Sequence, residues 1–458
     1  GGYGGEWDGG EGGYGGGWDG GEGGYGGAYV DDAPNILNFG PGIRPEDLRY
    51  SEQNGDLVIE FANQPDDRVI LRGYEPLARD TRTVFALLEK LSGGLLEVRL
   101  PDGSCALFGD GERGVTLQVH DEAMFGQVLA RGDIGLAEAY LDGLWDSPDI
   151  TGLLTLLANN RAVLQKALYG SWRQLLAARV RHWLNRNSKA GSKRNIMAHY
   201  DLGNAFYSQW LDPSMSYSAA IYRDVDDGSL EAAQHAKYQR ILHCLQASQG
   251  QSVLEIGCGW GGFAELADRA GLKVTGLTLS PAQLAWAQHR VPAADLRLQD
   301  YRDNKEQFDH VVSIEMFEAV GERWWPSYFK TVAGALKPGG RAVIQSITIR
   351  DDLFAAYRKG TDFIQQYVFP GGMLPSRAAF RSAAARQGLA VRNEYAFGLD
   401  YARTLAEWRV AFEARWPEIQ KLGFDETFRR LWRMYLCYCE AGFRAGSIDV
   451  VQFELAHR

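Results

Sequence analysis

Apolar positions along the C-terminal half of the chain alternate between two rhythms. Short β-type runs at Ser252–Ile256, Lys273–Leu279, Leu296–Gln299, His310–Ile314 and Ala342–Ile349 are separated by stretches with helical spacing. After the first run, Phe263, Leu266, Ala267 and Ala270 mark one face of an amphipathic helix. Strand and helix in regular alternation predict a doubly wound, mostly parallel α/β sheet. Nearer the N-terminus the pattern changes. Leu95–Leu100 reads as a strand ending in a Pro101-Asp102-Gly103 turn, and Phe125–Leu129 and Leu136–Leu144 read as helices. Together they predict a smaller α+β domain. Ahead of it, Leu57–Phe61 and Arg68–Leu71 read as a hairpin. No apolar run reaches the roughly 18 residues of a membrane-spanning helix.

Composition refines this picture at the N-terminus. Residues 1–33 are three copies of an eleven-residue glycine-rich unit, beginning with GGYGGEWDGGE. So much glycine cannot repay its ordering entropy, and the segment is expected to be disordered. The expected domains are therefore residues 1–33, a hairpin module at 34–78, an N-terminal domain at 79–185 and a catalytic domain at 186–458. A formal net charge of −10 argues against nucleic acid as a partner. The five cysteines form no CxxC pair, so no metal site is expected, and a reducing cytoplasm fits best. Charge is unevenly spread: residues 150–200 hold nine Lys and Arg and no Asp or Glu, with tryptophans and leucines interleaved at helical spacing. The ordinary reading is a solvated basic face, and the sharper one is a helix lying on an anionic bilayer.

The chemistry starts where the first strand ends. Val253-Leu254-Glu255-Ile256 runs into Gly257-Cys258-Gly259-Trp260-Gly261-Gly262. Glycines let a ligand approach the backbone, and the following helix N-terminus offers N–H donors. The Glu-x-Gly-x-Gly-x-Gly spacing is not the dinucleotide fingerprint Gly-x-Gly-x-x-Gly. It resembles motif I of class I S-adenosylmethionine (SAM) methyltransferases, whose Rossmann-like sheet matches the fold predicted above. Gly276-Leu277-Thr278-Leu279-Ser280, with Gln283 a turn later, closes the second strand, and Gln299-Asp300-Tyr301-Arg302 closes the third. Such strand ends are where open α/β sheets bind ligands. The expected cofactor contacts are Gly257, Gly259, Thr278, Ser280, Gln283, Asp300 and Tyr301. Ser280-Pro281 taken alone reads as a helix N-cap.

Three longer blocks narrow the reaction: Ser313-Ile314-Glu315-Met316-Phe317-Glu318-Ala319-Val320-Gly321, Phe363–Gly372 and Tyr435–Arg444. With His199-Tyr200-Asp201 and Met215-Ser216-Tyr217-Ser218, they resemble the cyclopropane-fatty-acyl-phospholipid synthases, in the superfamily of the mycolic acid cyclopropane synthases. The resemblance runs from about Thr81 to the C-terminus. It implies methylene transfer from SAM to the cis double bond of an unsaturated phospholipid, by an enzyme peripherally associated with the inner face of the membrane. It adds Tyr217 and Ser218 to the SAM contacts and leaves room for a homodimer. The reaction passes through a carbocation, which needs a dry site. Tyr200, Phe206, Tyr217, Phe317, Tyr367, Phe369 and Tyr401 are candidate rings, at least half of them expected to be plain core. The resemblance further implies bicarbonate as the base, held by Ala219, Glu318, Gln345, Ile347 and Tyr401. Gln345 stands where some relatives have histidine, and Ala219 where several have cysteine. The implied catalytic residues are Glu318, Tyr401, Gln345 and Cys439, the last being equally readable as a structural cysteine. The alternatives are a lipid C-methyltransferase making methyl-branched or methylene fatty acids, and a small-amine N-methyltransferase. Outside enzymes, a non-catalytic lipid-binding protein is opposed by Glu318, Tyr401 and the full SAM set, and a secreted calcium-binding protein by the absence of export signals and of proper calcium repeats. The N-terminal repeats only faintly resemble haemolysin-type calcium repeats.

Overall fold

The computed structural model describes residues 16–19, 29–30, 37–38, 48–53, 56–61, 64–71, 79–112, 114–164, 202–222 and 228–458. The basic stretch from residue 165 onward and the His199-Tyr200-Asp201 block lie outside them. The chain divides into two compact units, Gly1–Asp149 with Ala162–His182, and Ile150–Arg161 with Trp183–Arg458.

In the first unit, the strands Gly16–Asp19, Gln64–Leu71, Asp56–Phe61 and Leu48–Gln53 lie side by side in one antiparallel sheet. The expectation of disorder over residues 1–33 is thus corrected for Gly16–Asp19. The outer edge of Gln64–Leu71 offers unpaired backbone groups, and these accept a glycine-rich segment without needing side-chain packing. A second sheet joins Leu95–Arg99, Cys105–Gly109, Gly114–Val119 and Trp145–Asp146. Leu96 and Val98 point inward on alternate positions of the first of these strands and are buried. The Asp102 carboxylate closes the hairpin by accepting the Ser104 N–H at 2.8 Å. Three helices, Arg79–Leu88, Ala123–Arg131 and Asp133–Leu141, accompany this sheet.

The second unit is built on one seven-stranded sheet. Its strands are β1 (Ser252–Ile256), β2 (Lys273–Thr278), β3 (Asp295–Leu298), β4 (Phe308–Ile314), β5 (Leu336–Ile349), β6 (Leu389–Ala396) and β7 (Ile448–His457). In space the order is β3-β2-β1-β4-β5-β7-β6. The first five run parallel, and β7 inserts antiparallel between β5 and β6. Val253, Leu254, Glu255 and Ile256 are all buried, as a central parallel strand covered on both faces requires. Leu254 and Ile256 join a core with Phe317, Tyr328, Phe329 and Phe380. Val253 turns the other way, onto Tyr238, Phe263 and Ala267. This is the doubly wound class I methyltransferase sheet that the alternation predicts.

Between β6 and β7 come the helices Gly398–Ala414, Trp416–Lys421 and Glu426–Arg444. They insert a helical layer into the alternation. The helix Ile150–Asn159 belongs to this unit too, its Thr151 hydroxyl donating to the buried Glu440 at 3.0 Å. That takes it out of the expected 79–185 domain.

Candidate active site

The strand ends build the site. The turn after β1 uses glycines with φ of +83° at Gly257, +50° at Gly259 and +83° at Gly261. A Cβ on Gly257 would meet Met316 at 3.1 Å, and one on Gly261 would meet Ala287 at 3.2 Å. Gly259 differs: a Cβ there would project into open space with no protein atom within 4 Å. That cradle fits a SAM molecule laid over the turn. Leu279, directly after β2, is 70% exposed.

The polar residues around the cradle are tied to one another. Thr278 Oγ1 donates to Gln283 Oε1 and accepts the Ser280 N–H, each at 3.1 Å. Ser280 caps the helix Pro281–Arg290, its hydroxyl accepting the Gln283 N–H at 3.3 Å. The ordinary N-cap role thus accounts for this serine. Asp300 accepts from the Arg302 guanidinium on both oxygens, and this pairing holds its carboxyl below the usual range. Tyr301 packs against Tyr328, their ring centroids 5.6 Å apart. Ser218 is buried and accepts the Lys237 ammonium at 2.6 Å. Lys237 is itself fully enclosed; burial pulls its ammonium down to about 8, against the opposing pull of Glu315, Asp212 and Glu255.

One turn past β4, two carboxylates come together. Glu315 is held in the left-handed region at φ +49°, uncommon for a residue with a side chain, by its N–H bond to the Gln345 carbonyl at 2.8 Å. Its Oε1 accepts the Ala219 N–H at 2.8 Å and the Gln345 amide at 2.7 Å, and its Oε2 accepts the Tyr401 hydroxyl at 2.7 Å. Burial raises the Glu315 carboxyl, opposed by those hydrogen bonds and by the Lys237 charge. Glu318 has less support. Its Oε1 accepts the Ile347 N–H, and its Oε2 is buried with no protein partner. Burial, and then the Glu315 charge, push Glu318 up to about 8. Burial thus raises both carboxyls, and Glu315 has the larger set of donors, together with the Lys237 charge, to oppose it.

A hydrogen-bond chain fixes the orientation of Gln345. Arg240 donates to Gln452 at 2.7 Å, and Gln452 donates to the Gln345 oxygen at 2.9 Å across the β5–β7 register. The Gln345 amide nitrogen is thereby aimed at Glu315. Aromatic rings close over this centre. Tyr217 packs on Trp408 at 5.3 Å and hydrogen-bonds Tyr435 at 2.8 Å. Tyr401 lies 4.6 Å from Phe443, and burial with the Glu315 charge keeps it a neutral phenol.

Residues 187–453 match the mycolic acid cyclopropane synthetase family. The tuberculostearic acid methyltransferase UfaA1 of Mycobacterium tuberculosis is 37% identical over 88% of this chain and 98% of its own length. The cyclopropane-fatty-acyl-phospholipid synthase of Escherichia coli is 36% identical over 75% of this chain and 88% of its own. The chain belongs to the mycolic acid cyclopropane synthetase family. Among solved structures, the mycolic acid cyclopropane synthase CmaA1 complexed with SAH and CTAB is similar at 32% identity and a TM-score of 0.52, over 57% of this chain and 96% of that one. The protein is a SAM-dependent methyltransferase of the lipid methyl- and methylene-transferring kind.

Set against that family, the expected residues divide. The donors expected to hold bicarbonate, namely Ala219, Gln345, Ile347 and Tyr401, do converge, but each donates to a carboxylate of the chain itself. A further anion would come against these two carboxyl groups in a buried site with all four donors already engaged. The residues present do not fit bicarbonate. Cys439 lies close enough to Tyr217, Tyr401 and Tyr435 to act on them electrostatically. Burial pushes its thiol far up, so it is a neutral thiol. Of the candidate rings, Phe206 and Phe317 are buried among other aromatics as core. Tyr367 packs on Phe363, and Phe369 stands 44% exposed against Tyr435. Sequence reasoning passed over Glu315 and Lys237. The signal for Glu315 was its place three residues before Glu318 at a strand end; for Lys237 there was none.

Proposed function

We propose that this enzyme transfers a methylene group to the cis double bond of an unsaturated phospholipid acyl chain, closing a cyclopropane ring. The observation that carries this reading is the ring-lined centre of Tyr217, Trp408, Tyr401 and Tyr435, whose Tyr401 hydroxyl donates to the Glu315 carboxyl group at the end of β4. When bound, SAM supplies an electrophilic methyl. Gly257, Gly259 and the end of β2 seat it. The rings exclude water and face the acyl cation, where a desolvated cation–π contact is worth about 2 kcal/mol or more. An acidic group pair one turn past β4 is placed to hold the proton the cation loses. Bicarbonate has no part in this mechanism, because its donors are engaged. Access to the substrate is at the bilayer surface: among the described residues no helix is long and apolar enough to cross a membrane, and the basic run Arg161–Arg194 suits anionic headgroups.

A second reading, methyl-branched or methylene products, is favoured by the match to a tuberculostearic acid methyltransferase over 88% of this chain. Expression in a host lacking cyclopropane lipids tests both. Ring-containing fatty acids, recognised by NMR because ring and methylene products share one mass, support the first reading. Methyl or methylene branches support the second, and an unaltered lipid profile with soluble protein present rejects both.

A further inference from the structure

We propose that Glu315 is the general base of this enzyme, its carboxylate occupying the donor set that would otherwise hold a small anion. The inference rests on the reading of a carbocation reaction given above.

Three observations carry it. The first is occupancy: a backbone N–H, a primary amide and a phenol, from Ala219, Gln345 and Tyr401, converge on this one side chain at 2.7–2.8 Å. An ionised carboxylate offers about four lone-pair positions, and here three are filled. Oε1 takes two donors and Oε2 takes one, so Oε2 keeps a lone pair for an incoming proton. The second is conformation. Glu315 is one of only three residues with a side chain at positive φ among the described residues, the others being Met215 and Gln246. Residues held there against their preference concentrate at functional sites. The third is division of labour. Glu318 Oε1 takes the Ile347 N–H and its Oε2 has no hydrogen-bond partner, so Glu315, with three donors, is the better stabilised of the two as an anion. Both residues keep part of their surface accessible, as a group that meets substrate must.

The step balances without a further reactant. A C–H bond of the newly added methyl breaks, its electron pair forms the ring-closing C–C bond to the cationic carbon, and the proton goes to Glu315 Oε2. Glu315 then returns the proton to solvent before the next turnover. The Arg240–Gln452–Gln345 chain acts through Gln345 as a positioning device for the carboxylate.

The test uses the full chain, methyl-labelled SAM and vesicles of unsaturated phospholipid, in rigorously carbon-dioxide-free buffer with and without added bicarbonate. Wild-type turnover is expected to change less than about twofold on adding bicarbonate. Glu315→Gln keeps the shape but cannot take a proton, and should lose about a hundredfold or more in kcat while calorimetry shows SAM binding retained. Glu315→Gly relieves the backbone and exposes the three donors, so bicarbonate should restore its turnover saturably and bind it by calorimetry, while wild type binds none. Strong stimulation of wild type by bicarbonate, or bicarbonate binding to wild type by calorimetry, would overturn the proposal. So would full activity of Glu315→Gln. If wild type labels no lipid, the proposed function fails, and the calorimetric comparison alone still decides whether Glu315 fills the anion site.

Discussion

Gly259 is the position where cofactor binding and folding can be separated. Replacing it with leucine forces an ordinary residue into φ +50°, which costs about 1–2 kcal/mol of backbone strain. The cost stops there, because a Cβ at this position meets no protein atom within 4 Å. The melting temperature of Gly259→Leu should therefore fall by only a few degrees. Its side chain fills the cradle over the turn and bars backbone N–H groups from a ligand, so SAM affinity should drop at least about a hundredfold, near 2.7 kcal/mol. Gly257→Ala is the contrasting variant. At φ +83°, with Met316 at 3.1 Å, it should lose stability together with binding. Isothermal calorimetry with SAM, paired with thermal melts, reads both quantities. A Gly259→Leu protein that melts near wild type and binds SAM unchanged would refute this seat for the cofactor.

Three further outcomes follow from the same site. The carboxyl of Glu318 is raised to about 8, so its contribution to stability is complete below the ordinary carboxylate range and is lost as pH rises through about 8. Between pH 6 and 8.5, wild type should lose stability relative to Glu318→Gln, at up to about 1.4 kcal/mol per pH unit, and parallel melting curves would contradict this. Tyr401→Phe removes one charge-assisted hydrogen bond from Glu315, worth about 1.5–3 kcal/mol. It should slow turnover roughly ten- to a hundredfold at neutral pH and move the acid limb of the pH–rate profile upward, whereas an equal loss at every pH would argue against this role. Sedimentation with anionic vesicles should show binding that weakens with salt and with charge reversal at Arg173, Arg179 and Arg181, each basic residue contributing about 1 kcal/mol; salt-independent binding would contradict it.

Four of the five parallel strands were legible as buried apolar runs, and the edge strand β3 by its alternation about the buried Leu296; their bounds shift by only a few residues from the expected ones apart from the earlier start of β5. The strands β6 and β7 were not. Leu389–Ala396 lies at the sheet edge with Arg392, Asn393 and Glu394 in its middle, so it lacks the apolar signature. Ile448–His457 follows three helices and enters antiparallel, outside the βα rhythm. The polar strand residues show the same limit. That Gln345 faces Gln452 depends on register, and that Glu315 takes the anion's place depends on a positive φ. Neither is encoded in local pattern. The glycine turn and the Phe-Glu-Ala-Val-Gly block were readable because backbone geometry and site chemistry there demand particular residues at fixed spacing.

We propose that this chain moves a carbon from SAM onto a lipid double bond. The most direct test incubates purified protein with SAM carrying a carbon-13 methyl and vesicles of a cis-monounsaturated phospholipid, then records NMR spectra of the extracted lipid. The expected result is label in a ring methylene with shielded cyclopropane protons, and loss of the olefinic signals in proportion. A lipid that stays unlabelled while SAM is consumed, with the label on an amine acceptor instead, would contradict it.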